Sequence, residues 1–573
     1  MTFQRDYAVN RRLILLAGLA VIIGAVSTVA AKVLILLIRF FTNLFFFQSV
    51  SLADHSPAHQ QLGAWVILIP ALGGLLVGLM ARYGSDKIRG HGIPEAMETI
   101  LFGKSRMSAK VAVLKPLSSG IVIGSGGPFG AEGPIIMTGG SLGSLMAQYL
   151  HVSANERKTL LVAGACAGMT AIFGTPIAAM LLAIELLLFE LRPRSLLPVG
   201  LACAVAAFLR PLCFEAGPLF PLQTAPVQLM GLLSCVVTGL VIGLLTILIT
   251  KGLHRIEDGF AKLPIHWMWW PALGGLIVGL GGYWAPRALG VGYDVIGDLL
   301  NNRLDLAIIA MLVGVKLCIW LFALGSGTSG GVLAPLLIVG AGAGALLAPW
   351  LPGGSAELWA LAGMAALLGS ALGAPLTAIV FAFGLTHDSD AFLPVALTTL
   401  VAWGLTALLL GRSIMTEKIA KRGLHVYREY GVDPLERSHV GELLRHDAVV
   451  FEAEQMAAHA QQTLKSTACE LPCYPVVTAG KLVGMLGLAE ILGASSDVTL
   501  IMLIKQGNAT TQFAYPEESA RVAAARMSEC AMQCLPVVTS ATDQRLLGVL
   551  VASDLLRPGA EAFGHDQMRE RIR

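Results

Sequence analysis

Charged residues are scarce in this 573-residue chain. Lys and Arg number 40 and Asp and Glu 37, so 13% of the residues carry charge, about half of the share of roughly 25% that is usual in soluble globular proteins. Hydrophobic residues make up 55%, and the mean hydropathy is +0.71. A water-soluble protein of this length needs more charged side chains to cover its surface. The scarcity excludes a wholly soluble protein and predicts that most of the chain lies in a lipid bilayer.

Signatures of other protein classes are also missing. The net charge is only +3, and no Lys/Arg run with interleaved aromatic residues indicates a nucleic-acid partner. The sequence has no Walker loop, nucleophile–base pair or zinc-protease helix, so we do not expect an enzyme. The nine cysteines are scattered through apolar and polar regions, which argues against a secreted disulfide framework.

The charges that are present divide the chain in two. They are about twice as frequent in residues 436–573 as in residues 1–435, which predicts a membrane domain followed by a soluble tail. Arg5, Arg11 and Arg12 precede an apolar stretch far longer than that of a cleaved signal peptide. We therefore expect a retained first membrane helix whose N-terminus lies in the cytoplasm.

The membrane domain contains a repeat with a period of about 200 residues, which predicts two halves at roughly 10–215 and 225–420. Four motif pairs keep one order and one register: PALGGLLVGL at 70–79 with PALGGLIVGL at 271–280, GHGIP from Gly90 with GVGYD from Gly290, GAEGP at 130–134 with GVLAP at 331–335, and GTPIAA from Gly174 with GAPLTA from Gly373. Glycine-rich breaks such as GSGTSGG at 325–331 indicate interrupted helices. Non-helical backbone at membrane depth must be buried in protein or line a wet cavity, so the breaks predict an internal pathway.

Glu132 is the most informative single residue. It is the only formally charged residue between Lys115 and Glu156, and a carboxylate inside an apolar segment usually faces a bundle interior or a water path. Gly133 and Pro134 suit the first turn of a helix, where free N–H groups attract anions. We predict that Glu132 competes with a permeating anion and acts as a gate. The alternative is a carboxylate that the amides hold for structure alone.

Three glycine-framed helix starts extend this prediction. They are GHGIP at 90–94, GAEGP at 130–134 and GVLAP at 331–335. We expect no buried Lys or Arg near them, so the anion is predicted to be bound by backbone amides, which hold it weakly enough to permit release.

The tail contains a second repeat. CELPCYPVVTAGKLVGMLGLAEIL from Cys469 matches CAMQCLPVVTSATDQRLLGVLVASDLL from Cys530, and each copy is expected to fold as a helix, a strand, a turn, a second strand and a second helix. Cys469 and Cys473 match Cys530 and Cys534. Four thiolates would suit zinc, but this spacing is more typical of small buried packing residues.

The motifs resemble those of the CLC family of chloride channels and proton-coupled chloride exchangers, and the resemblance covers nearly the whole chain. The family's GSGIP, G(K/R)EGP and GxFxP are matched in order by GHGIP, GAEGP and GVLAP. The resemblance implies a homodimer in a bacterial inner membrane, with an all-α polytopic fold of about eighteen helices in two inverted halves. It also implies two small α/β CBS domains in the cytoplasm, at roughly 440–500 and 505–560.

The resemblance further implies a set of anion-binding positions around the gating residue Glu132. These positions are Gly90, His91, Gly92, Ile93, Pro94, Gly130, Ala131, Gly133, Val332, Leu333 and Met415. His91 stands where the family often has Ser, and Met415 where it has the pore-lining Tyr, so two hydroxyl donors are absent. Leu333 replaces a Phe, and Ala131 replaces a basic residue. His91 is expected either to donate an N–H to the anion or to bond a carbonyl instead.

Coupling to protons depends on one further position. Leu186, beside Glu185, occupies the place of the internal glutamate that exchangers of the family commonly carry. Leu cannot carry a proton, so we predict a passive channel for chloride or a similar small anion. The alternative is a proton-coupled exchanger in which Glu185 or Glu190 substitutes. A more distant alternative is a non-transporting membrane sensor with a regulatory tail.

Paired CBS domains often bind adenine nucleotides such as ATP or AMP, with an Asp on the ribose. Asp554 occupies that place in the second copy and Glu490 in the first, while Val551 and Gly487 replace the usual Thr. Nucleotide binding is one expectation. A dimerising or gating module without a ligand is the other.

Overall fold

The computed structural model describes residues 12–424, 426, 434–466, 471–506, 512–560 and 569–570. The chain divides into two compact units, Met1–Tyr430 with Arg569–Arg573 and Gly431–Met568. Arg5, Arg11 and Cys469, which the sequence singles out, lie outside the described residues.

The first unit is built from helices. Its α-helices are α1 (Arg12–Phe47), α2 (Leu68–Tyr83), α3 (Ile93–Leu101), α4 (Ala109–Gly124), α5 (Glu132–Gln148), α6 (Ala154–Phe173), α7 (Pro176–Leu182), α8 (Pro193–Cys213), α9 (Leu229–Ala261), α10 (Trp270–Trp284), α11 (Tyr293–Leu300), α12 (Leu306–Gly325), α13 (Leu333–Leu347), α14 (Ala356–Leu372), α15 (Pro375–Thr386), α16 (Phe392–Leu409) and α17 (Ile414–Ala420). Within the described residues, seven helical stretches are long and apolar enough to cross a membrane. The predicted all-α membrane fold is confirmed.

The helices fall into two equivalent sets. Helices α1–α8 are followed by α9–α16 in the same order, and α2 and α10 carry the PALGG motif pair. These two helices pack antiparallel: a Cβ added to Gly74 would lie 2.6 Å from the carbonyl carbon of Pro271, and one added to Gly275 would lie 2.6 Å from that of Pro70. Such reciprocal contacts between equivalent residues require a two-fold axis. The halves are therefore inverted, as the resemblance implies.

Small residues allow the inner helices to approach closely. A Cβ on Gly340 of α13 would lie 2.6 Å from the carbonyl oxygen of Gly363 on α14, and α5 and α6 meet in the same way at Gly139 and Gly164. Outer helices instead expose large apolar side chains, as at Leu248 on α9, which is 68% exposed. A stable apolar face of this kind requires lipid around it.

The second unit contains two β-hairpins and short helices. Its elements are α18 (Pro434–Arg437), α19 (Val440–Leu443), β2 (Phe451–Glu452), α20 (Ala457–Ser466), β3 (Cys473–Thr478), β4 (Lys481–Gly487), α21 (Leu488–Gly493), α22 (Leu500–Gln506), α23 (Ala520–Glu529), β5 (Cys534–Val538) and β6 (Leu546–Val551). Strand β3 pairs antiparallel with β4 and parallel with β2, and β5 pairs antiparallel with β6. Each copy of the repeat thus supplies one hairpin, as predicted. In the first unit, β1 (Val152–Ser153) pairs antiparallel with Arg569–Glu570, which is β7.

Candidate functional site

Glu132 is the first residue of α5 and is fully buried. Neither of its carboxylate oxygens has a hydrogen-bond partner among the described residues. The backbone N–H of Ala334 at the start of α13 and the hydroxyl of Tyr293 at the start of α11 are the polar groups of other helices that lie near the carboxylate. The side chain is therefore held by its surroundings without an ion pair, and it faces the opening turn of the equivalent helix in the other half.

Two glycines form the cradle for this carboxylate. Gly331 donates its N–H to the carbonyl oxygen of Gly130 at 3.0 Å, and Gly130 donates to that of Gly331 at 3.3 Å. This bridge joins equivalent residues of the two halves, and so it lies on their two-fold axis. A Cβ on Gly331 would lie 2.5 Å from Oε2 of Glu132. Only glycine at these positions leaves room for the carboxylate to fold back over the bridge.

The third glycine-framed motif meets the other two at the same point. A Cβ on Gly133 would lie 3.0 Å from the carbonyl carbon of His91 and 3.2 Å from Cα of Gly331. Helices α3, α5 and α13 therefore begin within contact distance of one another. Each helix start presents free N–H groups and a partial positive charge, and helix starts of this kind attract anions.

Local features fix the start of α3. Gly92 has a φ of 90°, a conformation that glycine adopts without strain. Its N–H donates to a side-chain oxygen of Glu95 at 2.9 Å, and Pro94 occupies the first turn, where it costs no hydrogen bond. His91 is 4% exposed, and its Nδ1 has no partner among the described residues. One buried ring nitrogen of His91 therefore has no protein partner at the start of α3.

The expectation that no buried Lys or Arg lies near these motifs is wrong. Lys115 on α4 is fully buried, and its Nζ donates to the carbonyl oxygens of Ile88 and Gly90, both at 2.8 Å. Lys316 on α12 donates to those of Ala288 at 3.0 Å and Gly290 at 2.7 Å. The ammonium groups satisfy loop carbonyls that would otherwise be unpaired at membrane depth. Both lysines thus hold the loops in place.

The remaining predicted anion positions are buried around the same loops. Val332 and Leu333 form the start of α13 and are 0% and 1% exposed. Met415 is also fully buried, and it lies in α17, which packs against α3. The ion pair between Lys418 and Glu95 fixes that packing. Since Glu95 also receives the N–H of Gly92, α17 is tied directly to the GHGIP loop.

The position predicted to match the internal glutamate of exchangers is apolar and buried. Leu186 is fully buried in the π-helical turn Ala183–Leu188 that follows α7. The neighbouring Glu185 accepts the backbone N–H of Leu376 at 3.1 Å, the N–H of Thr377 at 2.8 Å and the Thr377 hydroxyl at 2.6 Å. It therefore caps α15 and joins the two halves. Glu190, the other candidate, accepts the hydroxyl of Ser195 at 2.7 Å.

The candidate nucleotide residues of the tail already have protein partners. Asp554 is 1% exposed and accepts two hydrogen bonds from Arg445, through Nε and Nη2, each of 2.9 Å. Glu490 caps its own helix by accepting the N–H of Gly487 at 2.8 Å. A ribose would have to displace Arg445 to reach Asp554.

The structure brings only some of the tail cysteines together. Cys473 and Cys534 pack in the same apolar cluster, whereas Cys530 is exposed. Over the described part of the chain, no group of three or more His, Cys, Asp or Glu side chains could hold a metal ion.

Sequence reasoning missed Tyr293, Lys115 and Lys316. Tyr293 stands at the position that Ile93 occupies in the other half, and the two lysines occupy equivalent positions of the repeat. Aligning the two halves could have found these residues, because a residue that holds a loop in one half has a counterpart at the equivalent position of the other half.

Comparisons with known proteins agree with this geometry. The family model described as voltage-gated chloride channel matches residues 73–407, which is more than half of the chain. The chain belongs to the CLC family. A model of the CBS domain matches residues 440–497 in the tail.

Individual CLC proteins resemble the chain over most of their length. It is 32% identical over 376 residues to the voltage-gated ClC-type chloride channel ClcB of Escherichia coli O81 (strain ED1a), an alignment that covers 64% of this chain and 89% of that protein. A slow cyanobacterial Cl−/H+ antiporter superposes with a TM-score of 0.63 at 22% identity, over 72% of this chain and 99% of the antiporter. A eukaryotic CLC transporter gives 0.62 at 17%, over 95% and 98%. At such identities the two structures show the fold alone.

His91 provides a test of the anion site. We expect His91→Ala to weaken the apparent affinity for chloride by about tenfold, because a hydrogen bond to a charged group contributes roughly 1.5–3 kcal/mol. His91→Asn retains an N–H donor and should keep most of the affinity. Chloride dependence of flux in proteoliposomes measures both. If the imidazole bonds a carbonyl instead, neither variant will change the affinity.

Proposed function

We propose that this CLC protein transports chloride or a similar small inorganic anion passively, through one pore in each subunit of a homodimer, with Glu132 as the gate. The observation that carries the proposal is the convergence of three helix starts on a buried carboxylate that has no ion-pair partner. Backbone amides supply the binding energy for an anion that leaves water. A carboxylate in the same place competes for the same amides.

During gating, the side chain of Glu132 moves while the backbone around it stays in place. Its side chain folds over the Gly130–Gly331 bridge, and the hydrogen bonds of that bridge are made between backbone atoms. Rotation of the side chain about its own bonds therefore breaks no structural hydrogen bond. When the carboxylate swings away or gains a proton, an anion takes its position.

A channel without proton coupling is favoured by Leu186 and Glu185. The first cannot carry a proton, and the second is fixed by three hydrogen bonds at the start of α15. The alternative function is proton-coupled exchange, which the same anion site could serve and which is the activity named for the cyanobacterial antiporter.

Reversal potentials distinguish the two functions. With opposed chloride and proton gradients across proteoliposomes, a channel reverses at the chloride equilibrium potential whatever the pH gradient. We expect this result for the wild-type protein. A reversal potential that shifts with the pH gradient would establish exchange. The matched variant Leu186→Glu restores a carboxylate at the internal position and tests whether that single residue limits coupling.

We further propose that residues 436–573 form a cytoplasmic regulatory tail with two CBS domains, roughly 440–500 and 505–560, after a membrane domain that ends near residue 435. Helix α17 is the last helix that the structure describes in the first unit. Because α17 is tied to α3 by Lys418 and Glu95, a displacement of α17 would move the loop that carries His91.

The tail is expected to act without an adenine nucleotide. Both carboxylate oxygens of Asp554 already accept hydrogen bonds from Arg445. ATP and AMP should therefore bind the purified full-length protein with a Kd weaker than about 1 mM. Isothermal titration calorimetry measures this directly. Tighter binding that is lost in Asp554→Asn would contradict the expectation and assign Asp554 to the ribose.

A further inference from the structure

The two tail hairpins are related by a two-fold axis of their own. Leu482 donates its N–H to the carbonyl oxygen of Gln544 at 2.9 Å, and Leu546 donates to that of Gly480 at 3.1 Å. Equivalent residues of the two copies thus exchange hydrogen bonds. The hairpins β3–β4 and β5–β6 therefore meet where β4 and β6 begin. Side chains of both hairpins share one apolar cluster, which includes residues at equivalent positions of the two copies.

Cys473 and Cys534 are such counterparts. Each is the first residue of the first strand of its hairpin, and both belong to the same apolar cluster of the second unit. The two thiols are near enough to perturb each other's pKa, with Cys534 as the donor and Cys473 as the acceptor. Two neighbouring thiols that share one cluster and are separated by a whole repeat along the chain are placed to form a covalent link between the copies.

We propose that Cys473 and Cys534 form a reversible dithiol–disulfide pair that joins the two copies of the tail repeat in the presence of a disulfide oxidant such as glutathione disulfide. The dithiol is the resting state, because cytoplasmic thiols are kept reduced and disulfides that form there are usually transient.

The two cysteines differ in solvent exposure. Cys534 is fully buried, whereas Cys473 is half-buried and lies across the strand pair from Gly487, which has no side chain to cover it. The Cys534 thiol donates to the Cys473 sulfur and keeps the pKa of Cys473 below its usual range. Charged groups near the pair are Arg445, which favours a thiolate, and Glu490, which opposes it. Cys473 is therefore the attacking thiolate.

The chemistry proceeds by two exchanges. The Cys473 thiolate attacks one sulfur of glutathione disulfide, forms a mixed disulfide and releases one glutathione thiolate. The Cys534 thiol then loses its proton, and its sulfur attacks Cys473 within the mixed disulfide and releases the second glutathione thiolate. Two cysteine thiols are oxidised, one glutathione disulfide is reduced to two glutathiones, and the two protons pass to the released thiolates.

Peptide mapping of the full-length protein tests the pair. The folded protein in detergent is incubated with glutathione disulfide, quenched with N-ethylmaleimide and digested without reductant. We expect one peptide pair cross-linked through Cys473 and Cys534, lost on reduction by dithiothreitol. The exposed Cys530 provides the matched control, and Cys530→Ser should leave the cross-link unchanged.

Single variants test the order of attack and remain informative if one of them folds poorly. Cys534→Ser should trap glutathione on Cys473, whereas Cys473→Ser should leave the buried Cys534 unmodified. Absence of the cross-link in the folded wild-type protein would overturn the proposal. A cross-link from Cys473 to Cys469 or Cys530 in its place would overturn it as well.

Discussion

Glu132→Ala is expected to raise the chloride flux of proteoliposomes by about tenfold at neutral pH. The carboxylate occupies the position that the anion needs, and a gate that is closed about nine-tenths of the time is worth about 1.4 kcal/mol, which is the energy of a tenfold change in population. Glu132→Gln carries no charge and should open the pore to a similar extent. Flux that is unchanged in both variants would show that the carboxylate is structural.

The pH dependence of flux should change with the gate. Acidification neutralises the Glu132 carboxylate, so the wild-type protein should pass more chloride as the pH falls. The Glu132 variants should lose most of that response. Glu357 provides the control, because it lies in the first turn of α14, away from the bridge of the two halves. Glu357→Gln should keep both the wild-type flux and its pH response.

Gly133→Ala is expected to abolish transport. Its Cβ would lie 3.0 Å from the carbonyl carbon of His91 and 3.2 Å from Cα of Gly331, so the backbone of two loops would have to move apart. Overpacking of this kind costs about 1–3 kcal/mol, and displacement of the amides should reduce flux by at least about a hundredfold.

Gly314 on α12 is the matched control for Gly133. Both glycines lie within helices, but a Cβ on Gly314 meets nothing within 4 Å. Gly314→Ala should transport normally and unfold at a slightly higher temperature, because Ala is the better helix former by about 1 kcal/mol. Size-exclusion profiles and thermal unfolding should be compared for both variants. If Gly133→Ala transports like Gly314→Ala, the three helix starts do not form the site.

The repeat accounts for what the sequence could reveal of the membrane domain. Motifs such as GAEGP and GVLAP stand at equivalent positions, and glycine before a helix start leaves few alternatives for the local backbone. The helix that begins at Glu132 follows from these signals, whereas the inversion of the halves follows from the contacts between α2 and α10. Hydropathy alone could not give the seventeen helices described in the first unit, because several are too short to cross a bilayer.

The sequence could not predict which side chains far apart in the chain form hydrogen bonds with one another. Lys115 looks like the boundary of an apolar segment, but its ammonium group is paired with carbonyls 25 and 27 residues earlier. Asp554 has the sequence position of a ribose ligand, but its partner Arg445 lies 109 residues away. Sequence patterns report local backbone and burial. They carry little information on which polar groups meet in the core.

An anomalous-scattering map from crystals of the protein grown in bromide tests the anion site most directly. We predict one bromide peak in the wild-type protein where α3, α5 and α13 begin, beside the amides of Val332 and Leu333. A second peak should appear in Glu132→Ala, in the volume that the carboxylate vacates. A wild-type map without a peak at these helix starts, or a variant map without the second one, would contradict the assignment of the site and of its gate.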